Sequence, residues 1–169
     1  MPISPYLRAL RAKFGHQLLM LPGAAAVLRD DSGALLLQRR SDNGLWCLPG
    51  GALEPGEAPV QGLLREVYEE TGLLVVPERL LGVFAGAEDF RSRYPNGDEV
   101  EFMVMLFACR YQAGQQGAMD GEALELRYFP LDALPASPLL ERYDLPSLLA
   151  TSAASSYFAW DARWLEALD

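Results

Sequence analysis

The chain is poor in residues on which several classes of protein depend. It has one histidine, His16, in a basic N-terminal stretch, and two cysteines, Cys47 and Cys109. A single histidine argues against a catalytic histidine network. His16 itself is expected on the surface. Two cysteines are too few for a disulfide framework and favour a reducing cytoplasm. No apolar run reaches the roughly 18 residues of a membrane helix, and the N-terminus lacks a convincing signal peptide.

Positive charge is also scarce. The chain has 14 Lys and Arg against 23 Asp and Glu, a net charge of −9 and a pI of about 4.6. Such a balance disfavours nucleic-acid binding by phosphate neutralisation, whereas small nucleotides escorted by metal ions remain compatible. Because half of the residues are hydrophobic, the chain is not disordered. Its length predicts one domain across residues 1–169.

Carboxylates crowd into one segment, on or beside a single predicted helix. Glu66, Glu69 and Glu70 are spaced i, i+3 and i+4, so their side chains emerge on one face. Like charges at this spacing repel by a few tenths of a kcal/mol per pair, and anions near a helix C-terminus oppose its dipole. Clustered carboxylates are what hard divalent cations such as Mg²⁺ and Mn²⁺ bind. The pattern therefore indicates a metal site.

Local sequence signals predict where this helix begins and ends. It is predicted to begin near Pro59, after the turn at residues 54–56, and to end at Gly72. Its apolar residues recur with helical period and are expected to pack against a sheet: Val60, Leu63, Leu64 and Val67. Gly62 costs about 1 kcal/mol relative to alanine in a helix interior, which a close approach of the sheet backbone would explain.

The whole segment from Gly51 to Leu73 has a recognisable spacing. It reads glycine, five residues, Glu57, seven residues and then Arg-Glu-Val-Tyr-Glu-Glu-Thr-Gly-Leu. This pattern resembles the signature box of the Nudix hydrolases at every defined position, and the preceding segment 46–51 resembles the strand and turn that lead into that box. The resemblance implies an α/β/α sandwich around a mixed sheet. It also implies an enzyme that uses water and a divalent metal to cleave a nucleoside diphosphate linked to another moiety.

The resemblance assigns roles within the box. Glu66 and Glu70 would be the principal ligands of Mg²⁺ or Mn²⁺, Glu69 a third ligand or a support for them, and the Gly51 carbonyl a further oxygen donor. Glu57 would act through water or through Arg65, and Arg65 can reach Glu69 or fold back to Glu57. Glu66 is also a candidate general base, a role that the sequence does not separate from metal binding.

Some members of the family use a further glutamate on a later loop as base or ligand. Residues 120–125 lie in a suitable region, just before a strand-like segment at residues 126–129. Glu122 is the first choice and Glu125 the second. An ordinary solvated loop carboxylate is the alternative for both.

Candidate substrate contacts lie outside the box. The polar segment 88–98 offers Arg91 and Arg93 for phosphates, with Phe90 and Tyr94 for stacking on a base; an exposed hairpin loop is the alternative. Arg39 and Arg40 are comparable phosphate candidates. Because strand residues alternate between faces, only one of this pair is expected to point into a cleft, and Arg39 is taken as the candidate.

The remaining elements follow from periodicity and turn residues. We predict a helix at 4–14, a hairpin of strands 23–28 and 34–38 around a turn at 30–33, strands at 73–76, 80–86 and 100–111, and helices at 144–150 and 160–168.

Function is predicted at the level of the reaction. The residues after the box select no subclass, so the expected substrates are small nucleotides or nucleotide-sugars, without nucleic acid or membrane as partner. The alternatives are a 5′-end RNA pyrophosphohydrolase, which the acidic balance disfavours, and a binding module without catalysis, which the complete set of box carboxylates disfavours. Because family members are often dimers, a homodimer is also considered.

Overall fold

The computed structural model describes residues 4–94, 96–117 and 121–150, together with the backbone of residues 157–158. In chain order these residues form α1 (Pro5–Phe14), β1 (Leu19–Leu28), β2 (Leu35–Arg40), β3 (Trp46–Cys47), β4 (Gly50–Ala52), α2 (Pro59–Thr71), β5 (Leu73–Phe84), α3 (Ala87–Phe90), β6 (Arg91–Arg93), β7 (Glu99–Gly114), β8 (Ala123–Phe129), a 3-10 turn (Leu131–Ala133), α4 (Pro138–Glu141), α5 (Leu145–Ala150) and β9 (Tyr157–Phe158).

Two sheets organise the fold. The larger has the order β4-β1-β7-β5-β9, with β6 pairing the start of β7. Strands β1 and β7 run parallel, as do β5 and β9, whereas the other pairs in this sheet are antiparallel. The sheet is therefore mixed, as predicted. A second, antiparallel sheet has the order β3-β2-β8.

Helices lie on both sides of the larger sheet. The α2 residues Leu63 and Val67 are fully buried and pack in one cluster with Ala24 and Ala26 of β1. On the opposite face, helices α4 and α5 bury residues in a second cluster that includes Val27 of β1. The predicted α/β/α sandwich is confirmed.

Helix α2 has the predicted bounds. It begins at Pro59 and ends before Gly72, which adopts the left-handed conformation with φ 72°. Gly62 is explained differently from the prediction, because a Cβ there would collide with the side chain of Leu53 and lie 3.0 Å from Glu57 Oε2, and no sheet backbone is among its nearest neighbours. The glycine makes room for the loop that precedes the helix.

Several strand predictions are corrected. Strands β1 and β2 belong to different sheets and are joined only by the bridge between Arg29 and Leu35, so the predicted hairpin ladder is absent from this described region. The turn between them does form, since Gly33 N donates to Asp30 O at 2.9 Å. The two strands predicted at 73–76 and 80–86 are one strand, β5, whose pairing with β7 shifts register at three points.

The N-terminal helix is held by polar contacts. Helix α1 forms as predicted, yet none of its residues is buried. Arg11 donates to Glu99 O at 2.8 Å and lies 3.4 Å from the Asp98 carboxylate. Asp98 also contacts His16 Nδ1 at 2.7 Å, and the His16 side chain is 68% exposed, as its predicted surface position requires.

The C-terminal helix predicted at 144–150 is observed as α5. The helix predicted at 160–168 lies outside the described residues. Within the described part of the chain, no helix is both long and apolar enough to cross a membrane.

Candidate active site

Two consecutive glycines of β4 bring the strand close to α2. A Cβ on Gly51 would lie 2.5 Å from Oε2 and 2.6 Å from Cδ of Glu66. A Cβ on Gly50, whose φ is 144°, would collide with the backbone of Ala24 and Ala25 in the neighbouring strand. Gly51 therefore makes room for the Glu66 carboxylate, and Gly50 allows β4 to lie close to β1.

Glu70 is anchored one helical turn further on. Its side chain is 2% exposed, and its Oε2 accepts a hydrogen bond from Gly50 N at 2.7 Å. A carboxylate in such a buried position needs donors or a cation to offset its desolvation. Glu66 thus lies against Gly51, and Glu70 lies against Gly50.

Arg65 is the centre of an acidic network. Its guanidinium donates to Glu57 through Nε at 2.7 Å and through Nη2 at 3.0 Å. Nη1 donates to Glu66 at 2.8 Å and to Glu69 at 3.2 Å, while Nη2 also donates to Ala52 O at 3.0 Å. Both contacts anticipated for this arginine are present. One cation faces three carboxylates, so the cluster retains excess negative charge.

The pKa values of these carboxyls diverge. Hydrogen bonds from Arg65 hold the pKa of Glu57 below its usual value. Burial raises the pKa of Glu66 despite the ion pair with Arg65, and the nearby charges of Glu69 and Glu122 raise it further. Burial together with the neighbouring carboxylates thus outweighs the effect of Arg65 on Glu66.

A small cavity continues the site toward the second sheet. It is lined by Gln38, Arg40, Ser41, Asp42, Glu70 and Glu122. Tyr94 is close to this region, because the charges of Arg40, Asp42 and Glu122 influence the pKa of its hydroxyl, which burial raises. The fold thus brings Glu122 and Tyr94, both predicted from sequence, toward the box carboxylates.

Glu125 does not line this cavity. It stands opposite Arg39 in the ladder between β2 and β8 and forms an ion pair with Arg127. Of the two loop glutamates, Glu122 is the one placed near Glu66 and Glu70.

The choice of Arg39 over Arg40 is corrected. Arg40 lines the cavity and donates to both oxygens of Asp42, at 2.9 and 2.7 Å. Arg39 is exposed, and its Nε donates to Gly44 O at 3.2 Å. One arginine of the pair points inward, as alternation predicts, but it is the second.

The prediction that Phe90 stacks on a base is wrong in this structure. Its side chain is 3% exposed and packs against Phe84 and Tyr143, with ring centroids 6.2 and 5.7 Å away. Arg91 is paired with Glu101 on the neighbouring strand at 2.8 Å. Arg93 lies 3.7 Å from Glu99.

Comparison with known proteins identifies the family. The model of the NUDIX domain matches residues 20–149, which is most of the chain. The chain belongs to the Nudix hydrolase family.

Individual Nudix relatives resemble parts of the chain. An ADP-ribose pyrophosphatase of Methanocaldococcus jannaschii is 32% identical over 71% of this chain and 69% of its own length. The human 8-oxo-dGDP phosphatase NUDT18 is 32% identical over 76% of this chain. A crystal structure of a UDP-X diphosphatase superposes with a TM-score of 0.62 at 26% identity, covering 88% of this chain and 70% of that one. The chain spans only 37% of NUDT18 and 39% and 56% of two other curated relatives.

The residues of the Nudix box suit a divalent cation by their chemistry. Nudix hydrolases generally use divalent metal ions, and Glu66, Glu69, Glu70 and the Gly51 carbonyl offer only oxygen donors, which Mg²⁺ and Mn²⁺ prefer. Within the described ranges, no three acidic, histidine or cysteine side chains are grouped closely enough to hold an ion. Glu66 is engaged by Arg65 and Glu70 by Gly50, so ion binding requires these side chains to turn toward a common centre.

Gln38 and Asp42 were not anticipated. Gln38 lies in an apolar strand, where a single polar residue reads as an interruption of the core pattern, and Asp42 lies in a turn. The available signal was alternation, since Gln38 and Arg40 are two residues apart and share a face.

Proposed function

We propose that this Nudix hydrolase is a metal-dependent pyrophosphohydrolase that cleaves a nucleoside diphosphate linked to another moiety. The observation that carries the proposal is the placement of Glu66 and Glu70 against Gly51 and Gly50, beside an arginine outnumbered by carboxylates. Such an arrangement repels a pyrophosphate unless cations reverse the local charge.

Mg²⁺ or Mn²⁺ would be held by Glu66, Glu69, Glu70 and the Gly51 carbonyl. When bound, the metal would polarise the phosphate oxygens and favour ionisation of water. Arg65 and Glu57 hold Glu66 in orientation, since the guanidinium contacts both carboxylates. Glu122 is the candidate to accept the proton of the attacking water, because it faces the same cavity as Glu70.

Two residues are proposed to contact the substrate. Arg40 would bind a phosphate by charge-assisted hydrogen bonds, and Tyr94 would stack on the base or donate from its hydroxyl. Arg40 and Arg91 are both paired with a carboxylate, but Arg40 lines the cavity that contains Glu70 and Glu122, and Arg91 is not part of that lining. For this reason the proposal rests on Arg40 and Tyr94.

The substrate class follows from what the relatives share. ADP-ribose, 8-oxo-dGDP and UDP-X contain different bases, yet each contains a nucleoside diphosphate. We therefore propose nucleotides or nucleotide-sugars as substrates, with the diphosphate as the main recognition element. A 5′-end RNA pyrophosphohydrolase is disfavoured by the net charge of −9.

The test is a substrate panel with metal control. ADP-ribose, 8-oxo-dGDP, UDP-sugars, 5′-triphosphorylated RNA and a simple phosphate monoester are incubated with Mg²⁺, with Mn²⁺ or after exhaustive chelation, in ¹⁸O-water. We expect metal-dependent hydrolysis within a pyrophosphate, fastest at mildly alkaline pH, with ¹⁸O on one product phosphate. Full activity after chelation would contradict the metal role, and label found only in phosphate from simple monoesters would identify a phosphatase.

Two variants separate catalysis from folding. Glu66→Gln and Glu70→Gln should each lower kcat by several orders of magnitude, because each removes a ligand charge. The metal-free variants should melt at the wild-type temperature or slightly above it, since repulsion between these residues is relieved. A variant that remains active, or a metal-free form that melts well below wild type, would refute the assignment.

Organisation and location stay predictions. We expect residues 1–169 to form one domain in the cytoplasm, and a homodimer is the assembly to be tested. Sedimentation equilibrium measures the assembly directly, and a monomer at micromolar concentration would exclude a stable dimer.

A further inference from the structure

Gln38 has no role in the function proposed so far. Its side chain is 1% exposed, and within the described structure its Oε1 has no hydrogen-bond partner. A buried amide oxygen without a donor is costly, and such atoms are rare unless a ligand or water serves them. The position therefore calls for a missing partner.

The surroundings define what that partner must be. Gln38 pairs with Cys47 across β2 and β3, and its side chain hydrogen-bonds the Cys47 thiol. Because Oε1 of Gln38 has no partner, this hydrogen bond is made by Nε2. Burial raises the pKa of that thiol to about 12, so it stays neutral. Gln38 also lines the small cavity that contains Glu70, Glu122 and the Arg40–Asp42 pair.

The partner must be a donor small enough for this cavity. Arg40 already donates to both oxygens of Asp42. Carboxylates at Glu70 and Glu122 cannot donate when ionised. Water meets the requirement, because it can donate one hydrogen to a neutral amide oxygen and the other to a carboxylate.

We propose that Gln38 is a positioning residue whose Oε1 accepts a hydrogen bond from the water molecule that attacks the pyrophosphate. The inference rests on the proposed function. With one hydrogen directed to Gln38 and the other to Glu122, a lone pair of the water remains free to face phosphorus. The new oxygen–phosphorus bond forms as the bond to the bridging oxygen breaks, the leaving phosphate takes that electron pair, and the proton passes to Glu122.

An amide suits this position better than a carboxylate. It accepts a hydrogen bond without adding charge to a cavity that already contains Glu70 and Glu122. A third carboxylate would raise the pKa of its neighbours and weaken metal binding.

The first test replaces the acceptor and preserves the shape. Gln38→Met has nearly the same length and no strong acceptor, and Gln112→Met on the exposed part of β7 is the matched control. We expect kcat to fall by about 10- to 100-fold, with KM changed by less than about twofold. Because methionine fills nearly the same volume, the metal-free variant should melt close to the wild-type temperature. If it fails to fold, Gln38→Leu replaces it.

An unchanged kcat with a fully active wild type would overturn the inference and leave the proposed function intact. A fall in kcat together with a melting temperature well below that of the wild type would also overturn it. So would a rise in KM with kcat unchanged. A wild type that hydrolyses nothing in the panel would instead refute the proposed function, and the attacking role of the water with it.

The second test observes the water without turnover. A high-resolution crystal structure of the wild type should show an ordered water within hydrogen-bond distance of both Gln38 Oε1 and Glu122, and Gln38→Met should lose it. A cavity that is dry in the wild type would overturn the inference.

Discussion

Two arginines of this chain stand in opposite electrostatic settings. Arg65 contacts the carboxylates of Glu57, Glu66 and Glu69 at 2.7 to 3.2 Å. Arg11 lies near one carboxylate, that of Asp98 at 3.4 Å, and donates to the backbone carbonyls of three residues: Gly15, Gln17 and Glu99. The first cluster has excess negative charge, and the second is close to balanced.

The difference separates a site from an anchor. The balanced cluster around Arg11 connects α1 to the start of β7 and needs no additional ion to balance its charge. Burial raises the pKa of Glu66, and the charges of Glu69 and Glu122 raise it further. Because one arginine serves three carboxylates, the imbalanced cluster retains a negative charge that attracts cations. Charge imbalance under partial burial, more than the number of ion pairs, marks the functional region.

Among the variants that test this comparison, the largest effect is expected from moving Glu66 within the imbalanced cluster. In Gly51→Ala, the new Cβ would lie 2.5 Å from Glu66 Oε2, so the carboxylate must shift. A displacement of about 1 Å in such a site costs about 100-fold in kcat, and we expect a loss of at least this size. Steady-state kinetics with saturating Mg²⁺ measures it.

The matched control is Gly117→Ala, where nothing lies within 4 Å of the added Cβ. It should leave kcat unchanged. Equal losses in the two variants would mean that the contact with Glu66 is not the cause.

A smaller effect is expected from removing each arginine. Arg65→Met should lower kcat by about 10- to 100-fold, because Glu66 loses the group that orients it. Arg11→Met removes donors to Glu99 O and Gln17 O and should lower the melting temperature with kcat unchanged. Thermal melts and steady-state kinetics on the same preparations measure both effects. A catalytic defect in Arg11→Met would show that Arg11 is not purely structural.

The smallest effect concerns pH and stability in the metal-free protein. The pKa of Asp98 is lowered mainly by its hydrogen bond with His16, so its contribution is present above pH 3.8 and is lost as the pH falls through the folded value. The pKa of Glu66 is raised, so folding is favoured below pH 4.5 and that advantage is lost as the pH rises through the folded value.

Melting curves of variants test these opposite signs. Asp98→Asn should melt lower than wild type at pH 7, by no more than about 2 °C, and the difference should shrink as the pH falls below 3.8 and vanish below the folded pKa. Glu66→Gln should gain on wild type as the pH rises above 4.5. Parallel curves for both variants would show that neither shift contributes to stability.

The box helix could be predicted from sequence because its signals are local. Pro59, Gly72 and the apolar stripe act within a few residues of one another, and the family pattern covers the same segment. The strands at 100–111 and 126–129 were also recognisable and belong to longer strands, β7 and β8. These predictions needed no knowledge of the tertiary structure.

The predictions of substrate-binding residues were wrong where the position of a side chain depends on elements that are distant in sequence. Which of Arg39 and Arg40 faces the cavity depends on the pairing of β2 with β8, which shifts register between these two residues. Phe90 ends the short helix α3, and its burial depends on Tyr143, more than fifty residues later. Gly62 was misinterpreted because its neighbour, Leu53, lies in an irregular loop. Each error concerns a contact between separate elements.

The parallel ladder between β1 and β7 has a consequence for the time course of folding. Every pair in it, from Leu19 with Val100 to Leu28 with Cys109, joins residues 81 positions apart. Strand β4, which contains the glycines beneath Glu66 and Glu70, pairs only with β1 among the described strands. Long-range pairing of this kind is slow. A nascent chain that has emerged only as far as the end of the box therefore contains every acidic residue of the box but lacks β7, which pairs with β1. Ion-binding competence should arise late, when β7 docks.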